Sequence, residues 1–237
     1  MKAICFREVK TFFSSLIGYL VIAVFLFVNG LLLWFFDGDY NVLQSGFADL
    51  SPFFVLAPWV FIFLISAVTM RTFSEEIKQG TIELLLTKPL STWEIVLGKF
   101  FGILLLCLLA ILPTMVYILV VNNYLMPNQV FDLGSVIGSY FGLFFLASSY
   151  IAIGLFCSSF TSNQIIAFIG SVVLCVLFSL GISQLSTVLP YIEQLGVEYH
   201  FKSISKGVID TRDLLYFVSL SGVFLGLTVF KINNIRK

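Results

Sequence analysis

Few residues in this chain have the chemistry for catalysis, and their spacing argues against it. The single histidine, His200, stands between Tyr199 and Phe201. A loop imidazole between two aromatic rings suits packing better than proton transfer. The four cysteines, Cys5, Cys107, Cys157 and Cys175, show no metal-ligand or redox spacing. Three of them lie in apolar runs and read as small buried hydrophobes. No GxxxxGK[ST] phosphate loop is present, so the chain cannot bind and hydrolyse ATP in the usual way by itself. An ion-coupled transporter or an intramembrane protease would carry ionisable residues or a nucleophile at membrane depth, and the apolar stretches have essentially none. No catalytic, cofactor-binding or metal-ligating residue is expected. If the chain does work, a partner supplies the free energy.

The elements that carry these residues are membrane spans. Of 237 residues, 59% are hydrophobic and 11% charged, and the mean hydropathy is +1.04. A soluble domain is roughly half apolar and a quarter charged, so lipid must solvate much of this surface. The formal net charge is zero, and no nucleic-acid partner is expected. About 20 apolar helical residues cross a bilayer core. Uncharged stretches predict six spans, over about 16–36, 52–71, 98–121, 134–157, 164–186 and 213–231. The long stretch from Leu133 to Ile192 is divided by a polar turn over Ser158–Asn163. The first run is too long for a signal-peptide core and lacks a cleavage site, so an uncleaved span is expected. Pro58 and Pro113 should bend spans two and three.

Basic residues set the orientation. Lys2, Arg7 and Lys10 precede span one; Arg71, Lys78, Lys88 and Lys99 lie between spans two and three; Lys231, Arg236 and Lys237 follow span six. The loop from Asp37 to Asp49 and the loop around Asp132 carry no basic residue. The positive-inside rule therefore puts both termini in the cytoplasm. Residues 2–15 form their own amphipathic helix, with Cys5, Phe6, Val9, Phe12 and Phe13 on one face and Arg7, Lys10, Thr11 and Ser14 opposite. Such a helix lies in the inner interface, bending into span one near Gly18. No soluble domain, linker or internal repeat is evident, and 1–237 reads as one all-α membrane domain.

The stretch from Arg71 to Lys99 carries the most information. Thr72 and Glu75 have capping-box spacing and predict a helix start just inside the membrane. Gly80 interrupts it, Thr81–Thr87 makes a short helical piece with Ile82, Leu84, Leu85 and Leu86, and Pro89 ends that piece. Ser91 and Glu94 form a second capping box, opening the helix that becomes span three. A short, partly apolar helix held at the membrane surface is either a plain connector or a docking element for a cytoplasmic groove.

This stretch resembles the ABC-2 type permeases of ABC transporters, through the pattern R-x-F-x-E-E-x-x-x-G-T-x-E-L-L-L-x-x-P-L-S-x-x-E-I-V-x-G-K over nearly thirty contiguous residues. The resemblance implies a coupling helix between spans two and three, seated in a cleft of a separate ABC ATPase subunit that binds ATP and Mg. Arg71, Glu75, Glu76, Gly80, Thr81, Glu83, Leu84, Leu85 and Pro89 would belong to that ATPase-coupling element. It further implies short re-entrant helices before span six, here Val188–Asp213, and a second permease copy or related membrane subunit. A narrower resemblance, through Arg7–Ser15, Gly38–Leu43, Phe47–Phe54 and Leu56–Trp59, is to the permease subunits associated with gliding motility in Bacteroidota. It implies a companion protein with a periplasmic domain, an inner-membrane location and a link to motility.

Gly134, Gly138 and Gly142 recur every fourth residue at the start of span four, a ridge that lets helices approach closely in lipid. Gly98 with Gly102, and Gly222 with Gly226, repeat it more weakly. The ridge serves either packing within this chain or a dimer interface. Two functions compete: an ATP-driven export or force-transmitting permease, and a non-transporting scaffold of a secretion or motility complex. A membrane enzyme ranks below both.

Overall fold

The computed structural model describes residues 1–38, 40–42, 49–87, 89–123, 132–185, 190–208 and 210–236. Residues 39, 43–48, 88, 124–131, 186–189, 209 and 237 lie outside the described residues, and so do the parts of the expectations above that fall on them.

The described residues form helices and no strands. Helix α1 (Lys2–Ser14) ends at Ser15, which is extended at φ −103° and ψ 161°. Helix α2 (Leu16–Gly30) closes in a π-helical turn, Leu31–Phe35. Then follow α3 (Ser51–Lys78), α4 (Thr81–Leu86) and α5 (Thr92–Ile111); α5 passes through a 3₁₀ turn, Leu112–Met115, into α6 (Val116–Asn123). Helix α7 covers Leu133–Phe160, and α8 (Gln164–Val176) passes through a second π-helical turn, Leu177–Gly181, into α9 (Ile182–Leu185). A 3₁₀ turn, Pro190–Leu195, precedes α10 (Val197–Ser205) and α11 (Thr211–Arg236). Six stretches are long and apolar enough to span a membrane: Leu16–Phe35, Ser51–Lys78, Thr92–Asn123, Leu133–Phe160, Gln164–Leu185 and Thr211–Ile235. The chain is an all-α, six-span membrane protein.

Two sequence expectations need correction. Thr72 does not cap a helix: it lies inside α3, buried, with its hydroxyl on Val68 O. The spacing is right, but α3 is already wound when it reaches Thr72. The bend after α1 falls at Ser15, not Gly18. Gly18 instead lets α2 approach α1, since a Cβ there would sit 2.8 Å from Phe12 O. Helix α1 packs on α5 through Ile4 and Glu8, and Phe6 is 73% exposed, on the side left for lipid. Helix α3 runs on through Pro58. Pro113 does perturb its span, as the second residue of the 3₁₀ turn, where the Tyr140 hydroxyl donates to Thr114 O at 2.9 Å. A side chain from another span thereby bonds the backbone of this turn, in a solvent that offers no other partner.

Helix α7 is the hub, packing on α3, α5, α8, α10 and α11. Lipid tails are as apolar as leucine, so close packing and polar contacts must hold spans together. Small residues supply both. Gly154 leaves no room for a Cβ against Thr69 on α3. Ser158 accepts from the Phe73 and Ser74 amides at 3.0 and 3.1 Å and donates to Met70 O at 3.0 Å. Ser149 lies 3.3 Å from Ser221 on α11, and Ser66 joins α3 to Ser171 on α8 at 2.8 Å.

The glycine ridge of span four is used inside the chain. A Cβ on Gly138 would lie 2.6 Å from Ile204 O, and one on Gly142 would lie 3.2 Å from the Phe201 ring, both on α10. Gly134 contacts Gly207, beyond α10. Gly98 and Gly102 are occupied by Ile4 and Glu8 of α1. Gly222 has nothing within 4 Å of a Cβ. Gly138→Val should therefore cost about 1–3 kcal/mol through overpacking against backbone. Gly222→Ala should leave the thermal midpoint in detergent unchanged, and thermal unfolding of the two variants checks the contrast.

Candidate functional site

The connection between spans two and three is built on three local devices. Gly80 adopts φ +69°, a left-handed conformation that side chains with a Cβ rarely adopt, and it turns the chain out of α3. Ile82 and Leu85 are 4% and 6% exposed and anchor α4 in the core. At the far side of the connection Ser91 caps α5 with both bonds of a capping box to Glu94. Held this way, α4 turns Leu84 outward at 68% exposure, with Glu83 exposed beside it. Pro89 is exposed just beyond.

The residues singled out from sequence divide into two groups. Gly80, Glu83, Leu84 and Pro89 face outward, while Leu85 packs inward. Arg71 pairs with Glu75 at 3.5 Å, and Glu75 also accepts from Gln79 at 3.3 Å. The Thr81 hydroxyl donates to Glu76 O at 3.4 Å. Glu76 is turned inward, toward Lys99.

Lys99 is the residue whose role sequence reasoning missed. Read as a loop charge, it is 1% exposed. Its ammonium lies 2.8 Å from Glu76, 3.5 Å from Glu8, 2.8 Å from Thr72 O and 4.8 Å from the centre of the Phe73 ring. Arg7 reaches Glu8 at 3.0 Å and Glu76 at 3.5 Å. The cluster joins α1, α3 and α5, so the two stems of the α4 connection and the N-terminal helix are tied at one point. Thr92 adds a 2.5 Å contact to Asn233 near the end of α11.

At the opposite end of the bundle, His200 on α10 lies 2.6 Å from Asp213 Oδ1 through Nδ1 and 2.7 Å from Gln194 O through Nε2. Its ring stacks on Tyr216 at 4.0 Å. Asp213 is 4% exposed. The histidine therefore clamps α10 to the start of α11, as its aromatic neighbours suggested, although Asp213 as its partner was not foreseen. Tyr216 completes the clamp with a bond to Leu195 O at 2.5 Å. His200→Ala should expose this end to proteolysis, because it strands a buried carboxylate at a cost on the order of 3 kcal/mol. Limited digestion with a protease cutting near 190–210 measures the effect. Among the described residues no His, Cys, Asp and Glu group could hold a metal ion.

Six spans around a polar-laced hub, with a short surface helix between the second and third, describe a multi-pass membrane domain. Residues 7–201 match the family model described as ABC-2 family transporter protein. The chain therefore belongs to the ABC-2 transporter family and is a membrane-spanning permease subunit of an ABC transporter. The match runs from α1 through α10, so it includes the α4 connection. No curated protein matches the chain.

Proposed function

We propose that the chain couples ATP hydrolysis in a separate ABC ATPase subunit to export or mechanical work, and that α4 is the contact. The observation that carries this reading is the division of α4: Ile82 and Leu85 fix it, leaving Glu83 and Leu84 presented outward with no partner in the chain's own core. An exposed leucine beside a carboxylate, on a helix whose stems are ion-paired, suits a groove on a soluble partner. On this reading both termini and α4 are cytoplasmic, the membrane is a bacterial inner membrane, and ATP and Mg are held by the partner. A second permease copy or related subunit completes the assembly. The resemblance of the N-terminal half further supports a gliding-motility role with a companion protein that has a periplasmic domain. Reconstitution with a candidate ABC ATPase subunit from the same organism tests the reading. Stimulated ATPase activity and ATP-dependent movement of material across the vesicle wall are expected. A complex that assembles yet moves nothing would favour the scaffold instead.

A further inference from the structure

A cavity of about 420 Å³ opens between α1, the start of α2, α3 and α5. Its wall on the bilayer side is apolar, made by Phe12, Ile17 and Val68. The rest is polar, with Thr11, Ser15, Thr72, Gln79 and Thr81 among six charged side chains. Arg7, Arg71 and Lys99 face Glu8, Glu75 and Glu76, three cations against three carboxylates. The cavity sits beside Ser15, where α1 gives way to the first span, and so at the level where lipid headgroups meet the bilayer core. Glu76 Oε2, an acceptor on its wall, has no hydrogen-bond partner, and at the rim Arg71 and Glu75 are part-exposed, with Nε and Oε2 3.5 Å apart. Buried groups left unsatisfied cost free energy that a suitable ligand restores.

We propose that this cavity is a binding site for a phospholipid with a zwitterionic, primary-amine headgroup, of the phosphatidylethanolamine type. The part-exposed Arg71 guanidinium offers donors and the Glu75 carboxylate offers acceptors, and such a headgroup carries the complement of each. Its phosphate accepts from Arg71, and its ammonium donates to Glu75. The balanced charge of the wall disfavours a purely anionic headgroup, since the carboxylates would repel it. A choline headgroup matches the charge but has no N–H to donate. The apolar wall takes the glycerol and the first acyl carbons. A lipid held here wedges α1 against α3, beside the Lys99 cluster.

Native mass spectrometry of the purified full chain, equilibrated with an equimolar mixture of phosphatidylethanolamine, phosphatidylcholine and phosphatidylglycerol of matched chains, tests this. One charge-assisted hydrogen bond corresponds to enrichment of the ethanolamine lipid over the choline lipid by about tenfold. Arg71→Gln and Glu75→Gln, both at the solvent-accessible rim, should bring the retained lipid close to the bulk ratio. Lys202→Gln, on α10 at the other end, should keep the enrichment. Three results would overturn the proposal: retained lipid that mirrors the mixture in the unaltered chain, as when water alone fills the cavity; preferential retention of phosphatidylglycerol; or enrichment that survives both rim substitutions.

Discussion

Lys99→Met is expected to lower the thermal midpoint of the purified protein by roughly 10 °C. Methionine matches the stem of lysine in length, so the loss is one of charge and not of packing. Without the ammonium, Glu76 and Glu8 are left facing one another with only Arg7 between them, and the Thr72 carbonyl loses its donor. Removing one member of a buried ion pair costs on the order of 3–5 kcal/mol, because the other charge stays desolvated. Glu76→Gln should cost less, since an amide oxygen can still accept from Lys99. The combination Lys99→Met, Glu76→Gln and Glu8→Gln should recover part of the loss, because no stranded charge remains. Thermal unfolding of the three variants separates the charge explanation from a packing one: on a packing explanation the triple substitution would be no better than Lys99→Met.

Leu84→Asp is expected to have the largest functional effect with the smallest structural one. At 68% exposure, Leu84 contributes little to the fold, and a polar replacement there should shift the thermal midpoint by no more than about 1 kcal/mol worth of stability. If α4 seats in a groove of the ATPase, however, an aspartate would be forced into an apolar contact. Burying an unpaired carboxylate costs several kcal/mol, enough to reduce the apparent affinity for the partner at least a hundredfold. Stimulation of the partner's ATPase by the reconstituted chain should fall to background. Leu85→Asp makes the complementary control: that side chain is 6% exposed, so its loss should appear first as instability.

These two residues show what the sequence made legible and what it did not. The spans were readable because lipid imposes a length and a polarity on each one independently. The short helix α4 was readable because its limits are local: Gly80 turns the chain, and the Ser91–Glu94 box satisfies the first amides of α5. The same box spacing at Thr72–Glu75 misled, because a capping motif carries no information about whether a helix has already started. Leu84 and Leu85 are adjacent and equally apolar, and only the packing of α4 on its neighbours assigns one to the surface and the other to the core. Lys99 was least legible. Its burial depends on Glu76 from α3 and Glu8 from α1 converging on it, a tertiary fact absent from its own neighbourhood. The same is true of His200, whose partner Asp213 lies on the next helix. That α1 turns Ile4 and Glu8 to α5 is likewise a tertiary fact, set by Gly98 and Gly102, which admit close approach there.

The central claim is that α4 is where the ATPase meets this chain, and a photo-crosslinking amino acid placed at position 84 tests it most directly. The full complex is irradiated with and without ATP, and a second position, 195, at the opposite end of the bundle and 58% exposed, serves as the comparison. A crosslink from position 84 to the ATP-binding subunit is expected, and none from position 195. A crosslink from 195 to that subunit, or an intact complex in which position 84 captures no part of it, would rule out α4 as the contact.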